Sequence, residues 1–313
     1  MPAAKSNKPT INTAAPTGGL KRKRADLSAS EILSFGPSLI GISFKHFNSD
    51  INEIWEDYCA IDFYLHELHE LIKSDGVPTL SLRTLTKPSR LKPQSKRRIY
   101  GIFSRIQTKA NGQRAFVDAV GKFEDFFARL TYQVYIDNPG KLNSLDADGS
   151  SDDPKRRQKV ISWILESATI NEILQKIIEE KVRGIFYGNP IDLFKKDKAH
   201  LGFGKHFENN HQNALELFRE ITARRNVIVH NQGRIDRKYL LEVPACKLAI
   251  DTPLLVDAAY LETSIYTFKE LAAASAERVI ISSYSQKVHQ KKGRLSKILG
   301  AITSASKPAK AKS

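Results

Sequence analysis

The chain has 313 residues, 41% of them hydrophobic, enough to bury a sizeable core as one large or two modest domains. No run of about 18 apolar residues occurs, and the N-terminus MPAAKSNKPTINTAAP lacks the apolar stretch of a secretory signal, so no membrane partner and a cytoplasmic location are expected. Cys59 and Cys246 lie far apart and outside any Cys/His ligand spacing, which excludes a disulfide framework and a structural zinc site and reads both as buried thiols.

The net charge of +15 sits at the two ends. Residues 1–25 carry Lys5, Lys8, Lys21, Arg22, Lys23 and Arg24 without an acid, and residues 285–313 carry seven lysines and one arginine, again without an acid. That leaves 35 basic against 34 acidic side chains in residues 26–284, a nearly neutral body. Both ends are rich in Ala, Ser, Pro and Lys, which bury too little apolar surface to offset chain entropy, so basic disordered tails are expected over 1–30 and 285–313. Tethered cations of this kind attract polyanions without sequence preference, and serve equally well as solubilising segments. The run Lys21, Arg22, Lys23, Arg24 is a candidate RNA contact and also resembles a nuclear localisation patch.

In chain order, Ile51, Ile54, Trp55, Tyr58, Ile61, Leu65, Leu68 and Ile72 recur at steps of three and four, predicting one long amphipathic helix over 47–74. The turn-rich GVPTLSLRTLTKPSRLKP, with one short strand-like alternation, leads into basic KRRIYGIFSRI. These place a boundary near residue 110, between a mainly helical region over 31–110 and a main domain over 111–284. A second long helix is expected over 116–136, stopped by Asp137-Asn138-Pro139-Gly140, with a solvated loop after it. Pro154 opens a helical stretch, broken near Ser167–Thr169 and ended by Gly184 and Gly188. Another helix covers 210–230; YLLEVPACKLAI then reads as extended chain. Thr252 and Pro253 supply an N-cap and first-turn proline for a last helix to about 281. The expected fold class is all-α, a helical array with little sheet.

Familiar chemical signatures are missing. His66, Glu67, His69 and Glu70 fall one residue short of the zincin pattern, in which two histidines four apart share a helix face. GFGKH at 202–206 lacks the longer glycine loop of a phosphate cradle and reads as a turn, while His200, His206 and His211 show no ligand spacing. There is no nucleophile elbow and no dinucleotide fingerprint, so no metal or cofactor is expected.

The stretch ITARRNVIVHNQGRID, residues 221–236, is different in kind. Asn226 and His230, four apart, stack on one helix face, with Arg225 beside them. Gly233 suits a turn just beyond the helix, which puts His230 in its last turn, where the dipole favours imidazolium. On spacing alone, a helix cap with surface ion pairs accounts for these residues better than a site does.

Arg225-Asn226-Val-Ile-Val-His230 resembles the Arg-polar-x-x-x-His signature of the HEPN superfamily, and the following HNQGRIDRKYL strengthens the likeness to its bacterial members. The resemblance covers roughly residues 113–281. It implies an antiparallel helical bundle and a metal-independent endoribonuclease, often a toxin or an anti-phage defence effector. It further implies that His230 is the general acid or base, that Arg225 grips the scissile phosphate, and that Asn226 orients the imidazole or the phosphate. Arg224 becomes a second RNA contact or, equally, a surface salt bridge. The implied partners are RNA, a second copy in a homodimer, and an antitoxin or companion protein. A non-catalytic HEPN-like scaffold binding nucleotide, nucleic acid or protein is the alternative.

Overall fold

The computed structural model describes residues 29–76, 80–84, 87–144, 154–185 and 188–285. The expected tails, with Lys21, Arg22, Lys23 and Arg24, and most of the loop before Pro154 lie outside the described residues.

The three-and-four spacing of apolar residues produces helix α1, Ala29–Lys73, which starts well before the predicted 47. Ile40, Phe44, Phe47, Ile51, Ile54 and Tyr58 form its buried face. A short antiparallel hairpin follows, β1 (Ser81–Thr84) with β2 (Lys87–Pro93), paired from Ser81 opposite Pro93 to Thr84 opposite Lys87 with an irregularity after Arg83. Ser95 caps α2 (Lys96–Arg105) by accepting from the Arg98 amide at 3.3 Å. A π-helical turn, Ile106–Ala110, joins α2 to the 27-residue α3, Asn111–Asp137. Then come α4 (Gly140–Ser144), α5 (Pro154–Glu166) and α6 (Ile170–Gly184). The break at 167–169 falls where the sequence places it: Thr169 accepts from the Glu172 amide at 3.2 Å while the Glu172 carboxylate accepts from the Ala168 amide at 2.9 Å, a reciprocal cap. Short helices α7 (Asp192–Lys195) and α8 (His206–Asn210) precede α9 (Gln212–His230), α10 (Arg237–Glu242) and α11 (Ala258–Tyr284). The described chain is mostly helical, with the hairpin as its one sheet.

Aromatic rings weld these elements together. Phe123 of α3 meets Phe47 of α1 at 6.2 Å, Phe218 of α9 at 5.1 Å and Phe268 of α11 at 4.9 Å between centroids. Phe194 meets Phe127, Phe207 and Phe218 from the far side. The same cluster takes in Ile40, Phe44 and Ile51, so the core does not divide near residue 110. The turn-rich 76–95 segment is an excursion from one core, because α1 lays its apolar face on α3 and α11.

Three further expectations are corrected. RKYLLE forms α10, because the Asp236 side chain accepts from the Tyr239 amide at 2.7 Å and Tyr239 is buried, so this part of the supposed extended chain is helical. The last helix begins at Ala258, capped by Asp257 through the Tyr260 amide at 2.8 Å. Pro253 instead pairs with Arg234 in an isolated bridge. Cys59 is exposed, and Cys246 is half-buried against the smaller apolar cluster of Val227, Ile235 and Tyr239. No helix among the described residues is long and apolar enough to cross a membrane.

A candidate catalytic site at the end of α9

α9 carries its apolar residues Leu215, Phe218, Ile221, Ala223 and Val227 inward, which brings Arg225 and Asn226 to a half-buried edge and His230 to an exposed end. Its partner at that edge is α3, running antiparallel. Glu124 of α3 lies opposite Arg225, and Gln113, eleven residues earlier, lies opposite Gly233.

Arg225 is held on two sides. One guanidinium nitrogen donates to Asn226 Oδ1 at 3.2 Å and the other lies 3.5 Å from Glu124 Oε2, with both ion-pair side chains 31% exposed. Its Nε is buried without a hydrogen-bond partner among the described residues. Burial raises the Glu124 pKa from its ordinary value; the Arg225 charge opposes the shift and Asp125 adds to it. Asn226 therefore positions the arginine rather than the imidazole. The His230 imidazole, one turn on, is exposed and makes no hydrogen bond to the described residues.

The turn after the helix has the predicted form. The amides of Asn231 and Gly233 both donate to the Val227 carbonyl, at 2.9 and 3.0 Å, and Asn231 Nδ2 donates to the Arg234 carbonyl at 2.6 Å. Gly233 adopts φ +76°, and a Cβ there would stand 2.8 Å from the Gln113 amide nitrogen. Gly233→Ala is expected to cost about 1–2 kcal/mol from the left-handed backbone alone. Urea unfolding with an unchanged m-value is the measurement.

Arg224 goes the other way, into the salt bridge that stood as the alternative to an RNA contact. Its Nε donates to Glu220 Oε1 at 2.7 Å, an Nη donates to the Leu255 carbonyl at 2.8 Å, and the guanidinium lies 3.8 Å from the Tyr260 ring centre. Glu220 also accepts from the Tyr239 hydroxyl at 2.7 Å and from the Tyr260 hydroxyl. Burial opposes the Arg224 charge, but Tyr260, Glu220 and Tyr239 outweigh it and raise the arginine pKa. Burial, reinforced by Glu220, raises the pKa of both tyrosines. Arg224 is thus a strut joining α9 to α10 and α11.

The remaining candidates play structural parts. His69 is buried with its ring 4.8 Å from Tyr100, and Gly202 and Gly204 take positive φ in a loop whose amides at 201–203 bind the Asp197 carboxylate. His206 and His211, remote in spacing from any ligand pattern, come within 5.3 Å as rings, and His211 Nδ1 lies 2.7 Å from Glu270 Oε1. Among the described residues no group of three or more His, Cys, Asp or Glu is disposed to hold a metal ion. Glu124 went unnoticed in the sequence because Asp125 beside it is an equally good acid, and only the pairing of α3 with α9 tells them apart. No protein-family model, curated protein or solved structure matches the chain.

Proposed function

We propose that the protein is a metal-independent endoribonuclease of HEPN type, serving as a toxin or anti-phage effector. The observation that carries this reading is the half-exposed Arg225, clamped by Asn226 and Glu124, one helical turn from an exposed and uncommitted His230. RNA supplies its own nucleophile. The 2′-oxygen attacks the adjacent phosphorus, the bond from phosphorus to the 5′-oxygen breaks, and a 2′,3′-cyclic phosphate and a 5′-hydroxyl are left. A base takes the 2′-hydroxyl proton and an acid protonates the departing 5′-oxygen. His230 fills one of these roles, and His230 of a second copy fills the other across a shared cleft. Arg225 holds the non-bridging phosphate oxygens through its terminal nitrogens and stabilises their charge as it grows.

The test is incubation of the purified protein with mixed RNA in excess EDTA. Cut ends bearing cyclic phosphate are expected, together with a dimer by light scattering; uncut RNA overturns the nuclease and a strict monomer overturns the shared cleft. A second reading, a non-catalytic scaffold that binds nucleotide, nucleic acid or protein, draws on Glu124, which already occupies one edge of the Arg225 fork. RNA that binds to saturation and stays whole would favour it.

A further inference from the structure

The body's near-neutral total conceals a separation of charge. Between residues 76 and 117 there are ten Lys and Arg and no Asp or Glu, while the rest of 26–284 holds 25 basic against 34 acidic side chains. The fold gathers this basic segment into one arm, formed by β1, β2, α2 and the π-helical turn. Arg83, Arg90, Lys92, Arg97, Arg98 and Arg105 are all exposed, and among the described residues only Lys96 of the arm has an acid partner, Asp75. Buried Ile99 and the contact of Tyr100 with His69 fasten α2 to the end of α1. The described side chains of the hairpin itself are exposed, Leu91 at 58%, so its contribution is surface rather than core.

The base of the arm abuts the candidate site. Lys109 Nζ donates to the Gln232 carbonyl at 3.3 Å, two residues past His230, and Gln113 packs against Gly233 in the same turn. We propose that the arm is the docking surface for single-stranded RNA, which it leads along its exposed cations to Arg225 and His230. Forked arginines suit phosphate oxygens, and the exposed Tyr100 ring offers a stacking face for a base. The choice of RNA among polyanions rests on the nuclease reading. The competing occupant is the acidic end of α1 in a second copy, with Glu56, Asp57, Asp62, Glu67 and Glu70. RNA is favoured because the arm runs directly into the phosphate-holding residues.

The experiment uses the full chain carrying His230→Ala, so that binding is read without cutting. Anisotropy of a fluorescein-labelled oligouridylate is followed over a range of potassium chloride concentrations. The combined Arg90→Gln, Lys92→Gln, Arg97→Gln and Arg98→Gln variant is expected to bind at least about tenfold more weakly, and its salt slope to shrink by roughly 3, at about 0.7 for each phosphate that is no longer neutralised. Neutralising four tail lysines, Lys291, Lys292, Lys307 and Lys310, removes the same charge and is expected to cost less. Arg90→Lys, Arg97→Lys and Arg98→Lys together keep the charge and should keep most of the affinity; circular dichroism checks that each variant is folded. An unchanged affinity and slope in the arm variant overturns the proposal, as does loss of self-association with RNA binding intact, which would assign the arm to a second copy. Failure of the parent protein to cut RNA overturns the nuclease and leaves the binding result standing.

Discussion

His230→Ala is expected to lower RNA cleavage by about 10²–10⁴-fold, the usual contribution of a positioned acid or base. RNA affinity and unfolding midpoint should hardly move. The imidazole is exposed and makes no hydrogen bond to the described residues, so its removal creates no cavity and orphans no partner. Arg225→Ala should behave differently, losing cleavage and some affinity together, because the guanidinium is asked to grip the phosphate as well as its transition state. Asn226→Ala should be milder: it frees one edge of Arg225 while Glu124 still holds the other. Single-turnover cleavage of labelled RNA, alongside binding by anisotropy, separates these effects. If His230→Ala cuts RNA as fast as the parent protein, the histidine ends its helix for structural reasons and the nuclease reading falls.

The helices were legible where a residue's role is local. The break at Ser167–Thr169, the glycine turn at 233 and the long helix over 116–136 follow from spacing and turn chemistry, and the structure has them where the sequence puts them. Roles that depend on distant partners were not legible. Asp257 rather than Thr252 starts α11, because residues 251–254 bond back to 233–235 and are taken up by that pairing before a helix can begin. Pro253 at a first helical turn and Pro253 in a bridge look the same in one dimension. Arg224 and Arg225 are neighbours with identical side chains, and only the positions of Glu220 on one side and Glu124 on the other give them different work. The basic arm was hidden by summation: a total over 26–284 cancels a cationic segment against an acidic remainder, although the run of 42 residues without an acid stands in the sequence throughout.

Arg224→Ala is expected to reverse the pattern of Arg225→Ala, losing stability and sparing chemistry. The Arg224 and Glu220 side chains are only 15% and 16% exposed, so solvent screens their pairing weakly. Removing one member of a buried pair leaves the other charge without its counterpart, at a cost of about 3 kcal/mol or more. The ring of Tyr260 also loses the cation above it, worth roughly 2 kcal/mol when desolvated. Glu220→Ala should be at least as damaging, because it strips the acceptor from two tyrosine hydroxyls and Arg224 at once. The same network carries a pH signature. The Tyr239 and Tyr260 pKa values are raised in the fold, so their stabilisation is complete below the ordinary tyrosine value of 10.0 and is lost as pH rises towards the raised values. Urea unfolding at neutral and at alkaline pH should show a midpoint that falls in alkali for the parent protein and falls less for Glu220→Ala, in which the tyrosines no longer face a carboxylate. An Arg224→Ala protein with parental stability and no cleavage would give Arg224 the phosphate and take away its place as the strut between α9 and α11.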